Sequence, residues 1–140
     1  MNQSAVTGLQ KWGLVPLRLV VGLTFLMHGW QKLYAFGPAQ VADILLKLGI
    51  PMPSFFAIVL IAVECLGGLA IVLGVFARWA SILLAIDMTV AILVARMAGG
   101  FFIPNGFEFE LVLWGSCLTF AALGSGELSL DRMFGRSSSA

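Results

Sequence analysis

The chain has 140 residues, 60% of them hydrophobic and 11% charged, with a formal net charge of +1 and a mean hydropathy of +1.01. Soluble domains carry about one quarter charged residues, so the composition excludes an ordinary soluble fold and implies an integral membrane protein. The 8 Lys and Arg are scattered and build no basic patch, which excludes nucleic acid as a partner.

A helix that crosses the hydrocarbon core needs about 20 mostly apolar residues. The first such segment is 12–34, "WGLVPLRLVVGLTFLMHGWQKLY". Its apolar region is too long for a cleaved signal, it runs into Lys32, and no small-x-small site follows, so it is expected to stay in the mature protein. Residues 38–49 place Val41, Ile44, Leu45 and Leu48 on one helical face and Asp43 and Lys47 on the other. That pattern predicts an amphipathic helix too short to span, lying at the membrane surface. "GIPMPS" breaks it, and the second span follows over 54–76. The short link "AR" leads into the third span, 79–98, and forces an antiparallel hairpin. A Gly- and Pro-bearing link, "GGFFIPNG", precedes the fourth span, 107–124. Phe101 and Phe102 in that link, with Trp12, Trp30 and Trp79, stand where interfacial aromatics stand. The chain ends in a small polar tail, "RSSSA".

The prediction is a single all-α domain: an integral membrane four-helix up-and-down bundle with a short amphipathic surface helix between spans one and two. A closed barrel would show alternating ten-residue segments instead. Lys11, Arg78, Arg132 and Arg136 fall on the side of the termini, with Arg18 adding to them, against Lys32, Lys47 and Arg96 on the other. This excess predicts that both termini are cytoplasmic.

Polar groups inside the spans carry the functional question. Measured from the outer ends of the spans, Glu64 lies roughly 15 Å down, Asp87 at about the same level, and Arg18 some 9 Å further in, near enough for a long side chain to reach back. His28, Lys32, Arg96, Glu108 and Glu110 come nearer the outer rim. On a helical wheel Glu64 shares its face with Ala57, Leu60, Gly67, Gly68 and Ile71, and Arg18 with Gly22, Phe25, Gly29 and Lys32. Asp87 lies with Ala80, Ala91 and Ala98, and Glu110 with Trp114, Cys117, Ala121 and Gly124. The charges therefore sit on the small-residue sides that let helices approach. Arg96 is half a turn from Asp87, which puts it at the headgroups, and His28 is roughly 80° off the Arg18–Lys32 face.

A charge at the bilayer centre costs about 3 kcal/mol or more unless it is paired or neutralised. One reading makes Arg18 with Glu64 or Asp87 an ion pair that fixes helix register. The other makes the set a polar site: one carboxyl is in surplus over the arginine and can carry a proton or bind a polar head group. In that reading His28, Lys32 and Glu110 line an outer mouth above Glu64 where a quinone carbonyl or a small anion binds. A single histidine excludes a bis-histidine haem and a His₃ zinc centre within one chain, leaving no metal site. Cys65 and Cys117 fall in different spans without a CxxC and read as small core residues. With no dinucleotide-binding glycine motif either, electrons would have to pass through a quinone or another subunit.

Four pieces in this order, "RLVVGLTFLMHGWQKL", "GIPMP", "VECLGGLAIVLGVFAR" and "GSGELSLDR", resemble the DoxX family of small four-helix bacterial membrane proteins. The likeness runs from residue 17 to residue 132. The motif positions are Arg18, His28, Gly29 and Lys32, then Glu64, Gly67, Gly68, Gly74 and Arg78, then Ser129, Leu130 and Asp131. The resemblance implies a multi-pass protein of the bacterial inner membrane, acting as a membrane subunit of a redox or stress-defence assembly. The family takes its name from a subunit of a thiosulfate:quinone oxidoreductase, so the expectation is a quinone-linked subunit with a midplane polar site around Glu64. Two alternatives stand beside it: a structural or assembly subunit whose buried charges only fix register, and a small transporter or proton path through Glu64, Asp87 and Arg18. The expected partners are the lipid bilayer, other protein subunits and a second copy of the chain. Whether the chain is itself an enzyme is left open by its sequence.

Overall fold

Long apolar runs without strand-type alternation produce helices, and among the described residues every regular element is helical. In the computed structural model the described residues are 3–124, 126, 129–131 and 133, with side chains from residue 12 onward. The side chain of Lys11, together with Arg132, Arg136 and the tail "RSSSA", lies outside them.

Helix α1 (Gln3–Trp30) continues through a π-helical segment, Gln31–Phe36, into α2 (Gly37–Lys47). Gly37, with φ 79° and ψ 152°, stands at the junction in a region that only glycine enters readily. Helix α3 is Pro53–Leu73 and α4 is Ala77–Val90; α4 runs into a second π-helical segment, Ala91–Arg96, and a 3₁₀ turn, Met97–Gly99. Helix α5 is Glu108–Leu123. Three helical runs are long and apolar enough to cross a bilayer: Trp12–Lys47, Pro53–Leu73 and Ala77–Gly99. With 16 residues α5 is shorter, about 24 Å at the usual helical rise.

The order of packing is sequential. α1 lies on α3, α3 on α4 and α4 on α5, and a small contact of α5 with α1 closes the bundle. The main core joins Val21 and Phe25 of α1, Ile71 of α3, Leu84 and Met88 of α4, and Leu113, Cys117 and Phe120 of α5. Outside it stand Val20, Leu23, Leu66, Leu83, Ile86 and Val112, all exposed. Apolar side chains facing outward on every helix are what a lipid environment requires and water penalises.

Two details differ from the sequence expectation. The turn between the second and third spans is Gly74–Phe76, and Ala77 and Arg78 form the first turn of α4. Gly74 ends α3 in the left-handed conformation (φ 68°), and the Val75 N–H donates back to the Ala70 carbonyl at 2.9 Å. The apolar side of α2 packs against the first half of α3, with Val41 and Ala42 buried on Ala57 and Ile61. Leu45 and Leu48 are half-buried, whereas Ile44 is exposed at the edge of that face.

The register of α1 against α3 is set by glycines. A Cβ on Gly22 would lie 2.8 Å from the Val72 backbone nitrogen, and one on Gly68 would lie 2.7 Å from the Gly22 carbonyl oxygen. The two backbones meet where side chains are missing, the geometry that small residues permit between membrane helices. Gly67 faces the other way and receives the side chain of Leu84 on α4.

Candidate functional site

One turn above Gly22 and Phe25 on the same face of α1 comes Gly29, where α3 again approaches closely. A Cβ there would lie 2.6 Å from Cys65 Sγ and 3.1 Å from the Glu64 carbonyl carbon. Glu64 is thereby held at the level of Gly29, and Lys32, three residues on, lies on the same side of α1. Lys32 Nζ donates to Glu64 Oε2 at 2.5 Å. Glu64 is 3% exposed, while the Lys32 side chain keeps 23% exposure. A lysine stem of this kind can cover apolar surface while its ammonium serves a buried acid.

Asp87 of α4 joins this pair. Lys32 and Glu64 are within electrostatic reach of its carboxylate. Asp87 Oδ2 is buried and has no hydrogen-bond partner among the described residues. Cys65 adjoins Glu64, and Cys117 of α5 lies within electrostatic reach of Asp87; both cysteines are free thiols. His28 is within electrostatic reach of Glu64 as well. Its exposed ring sits 5.8 Å from that of Phe109 on α5, tilted by 51°.

Arg18 does not meet either acid. It is 3% exposed and belongs to the opposite end of the bundle, where a Cβ on Gly74 would lie 2.9 Å from Arg18 Nη1 and 3.0 Å from the Ser129 Cα. The cause is axial offset. Tyr34 and Ser54 do not lie in one plane at the outer ends of the spans, because α3 starts alongside α2 and so runs further out. With Gly29 facing Glu64, Arg18 is eleven residues further down α1, about 16 Å along the axis, and a guanidinium cannot bridge that.

Glu110, 9% exposed, has its own partner in Arg96, whose Nε donates to Glu110 Oε1 at 2.9 Å. Arg96 Nη1 also donates to the Pro104 carbonyl at 3.4 Å, and the Ile103 N–H donates to Glu108 Oε1 at 3.0 Å. Arg96 thus ties the link between α4 and α5 rather than standing free at the headgroups. Lys32, Glu110 and His28 have three different neighbours: Glu64, Arg96 and Phe109. On the outer side of α1 a shallow open groove is lined by Met27, His28, Trp30, Gln31 and Ala35.

A further contact had no local signal in the sequence. Asp131 Oδ1 accepts the Phe76 N–H at 2.9 Å and Oδ2 accepts the Ala77 N–H at 3.3 Å. Its own N–H donates to the Gly74 carbonyl at 3.0 Å. A residue near the C-terminus therefore caps α4 from more than fifty positions away and fastens the tail to the Gly74–Phe76 turn. Only the motif "GSGELSLDR" pointed to Asp131, without a role.

Membrane-length apolar helices, lipid-compatible outer faces and buried charge define an integral membrane protein of the small helical-bundle class. The chain belongs to the DoxX family, whose model matches residues 13–97. That match contains Lys32, Glu64 and Asp87 together. The chain is 30% identical over 120 residues to a Bacillus subtilis protein named "Putative oxidoreductase CatD", covering 85% of this chain and 84% of that one. It is 31% identical over 140 residues to "Uncharacterized membrane protein Rv3486" of Mycobacterium tuberculosis, covering 90% and 83%. It is also 31% identical over 126 residues to "Inner membrane protein YphA" of Escherichia coli, covering 85% and 88%. No solved structure matches the chain.

Proposed function

We propose that the protein is a membrane subunit of a quinone-linked redox or stress-defence assembly, set in a bacterial inner membrane with both termini in the cytoplasm. The observation that carries the reading is the group of Lys32, Glu64 and Asp87: Lys32 pairs with Glu64, Asp87 lies within electrostatic reach of both, and its Oδ2 is buried without a partner among the described residues. Evolution rarely tolerates uncompensated charge inside a span unless the group works. The oxidoreductase name of the Bacillus subtilis relative supports a redox setting.

A quinone fits the residues present. In the open groove on α1, Met27 and Trp30 offer apolar walls, and His28 and Gln31 offer hydrogen-bonding groups for a carbonyl oxygen. His28 lines that groove and is within electrostatic reach of Glu64, so a polar head bound at His28 would be coupled to the charge of the cluster. Other subunits or a second copy would cover part of the exposed apolar perimeter. The test is purification in mild detergent, then solvent extraction and an absorbance spectrum. Quinone at about one per chain supports the reading, and its absence from wild-type protein purified with its partner subunits would sink it.

A second reading has one observation in its favour. Lys32–Glu64 joins the end of α1 to the middle of α3 at the level where Gly29 packs, so the pair also serves to fix register between these helices.

A further inference from the structure

We propose that Asp87 holds one exchangeable proton, so that the Lys32–Glu64–Asp87 cluster is a proton-binding site with Asp87, and not Glu64, as the group that gains and loses it. The inference deepens the polar-site reading above and rests on it for its biological use, but the proton itself is measured without any quinone.

The charge count comes first. Lys32, Glu64 and Asp87 in their ionised forms sum to one negative charge, in an apolar span where an uncompensated charge is expensive. Geometry then decides which acid is in surplus. Lys32 Nζ is engaged with Glu64 Oε2 at 2.5 Å, a charge-assisted bond that stabilises Glu64 as the anion. Asp87 has no such donor: its Oδ2 is buried and unpartnered among the described residues. Asp87 as a whole is half-buried, but a carboxylate oxygen left in that state loses its hydration with nothing in return, and such a group neutralises by binding a proton. The remaining titratable groups around it do not remove the surplus. Lys32 arrives from the π-helical segment after α1, Glu64 and Cys65 from α3, and Cys117 from α5, and His28 acts on Glu64. The thiols are neutral when protonated, and Arg96, further along α4, is committed to Glu110.

Infrared spectroscopy of the purified protein in lipid at neutral pH reads this directly. Wild-type protein is expected to show a carboxylic-acid carbonyl band that shifts when the protein is grown with carboxyl-¹³C aspartate. The other two aspartates, Asp43 and Asp131, are exposed. The band should vanish in Asp87→Asn. It should also vanish in Glu64→Gln, because Lys32 is then released to pair with Asp87; in Lys32→Met, where both acids lose their cation, it should persist and be joined by a second carbonyl band, from Glu64, that does not shift with labelled aspartate. The order of these responses distinguishes a shared proton from a residue that merely packs. Absence of an aspartate-sensitive band in the wild type overturns the proposal, as does a band that survives Asp87→Asn and follows Glu64 alone. Isotope labelling of the wild type keeps the test decisive if a variant fails to fold. A present band with no extractable quinone would overturn the quinone reading and leave the proton site standing.

Discussion

Lys32 sets the charge balance of the whole site. Its ammonium meets a carboxylate that is 3% exposed, and burial of one ion is tolerable only while the other is present. Glu64→Gln is therefore expected to lower stability by about 1–3 kcal/mol, because it breaks the charge-assisted bond between the first span and α3 and leaves Lys32 only Asp87 to pair with. Adding Lys32→Met should restore most of that loss, since replacing both partners by neutral groups is often close to neutral. Thermal unfolding of the single and double variants in detergent checks this, and equal destabilisation of both would contradict the pairing. Arg96 behaves differently. With 42% of its side chain exposed, its bond to Glu110 is worth well under the buried pair, about 0–1 kcal/mol, and should weaken further as salt is raised.

At the scale of elements, contacts between backbones dominate. A Cβ on Gly68 would meet the Leu26 nitrogen and the Gly22 carbonyl, both rigid parts of α1. Gly68→Ala should then force α1 from α3 and cost about 1–3 kcal/mol or more, seen as a lowered unfolding temperature. Asp131→Ala removes the acceptor for the first N–H groups of α4 and should cost about 1 kcal/mol, the usual value of a lost cap. Protease cleavage near the C-terminus should rise with it, and an unchanged digestion pattern would deny the tail its fastening role. These elements also mark what could be read in advance. The small-residue faces of Gly22, Gly29, Gly67 and Gly68 follow from helical periodicity, and so does the burial of Glu64 among them. The partner of Glu64 does not, because it depends on how far α3 slides along α1, and that offset comes from α2 packing beside the start of α3. The two π-helical segments were equally invisible, since no residue type marks them. Each carries the cation of one ion pair: Lys32 in the first and Arg96 in the second.

As a whole, the molecule is a bundle whose outside is apolar and whose interior holds its unusual charge, the reverse of a soluble helical protein. The membrane class and the family were legible from composition and from four motifs, because both are properties of long stretches. Function was less legible, since the proposed role depends on which acid Lys32 pairs with and which is left over, and that is decided by the offset between helices rather than by any local motif. The shallow groove of Met27, His28, Trp30, Gln31 and Ala35 shares one residue with the surroundings of the cluster: His28 lines it and lies within electrostatic reach of Glu64. The central claim is that this polar cluster serves a bound quinone rather than register alone. Titration of a short-chain quinone into purified wild-type protein and into a Glu64→Gln, Lys32→Met double variant that folds equally well measures it most directly. Saturable binding near one per chain is expected in the wild type, with a loss of at least tenfold in affinity in the double variant. Equal binding by both proteins, or none by the wild type with its partner subunits present, would contradict it.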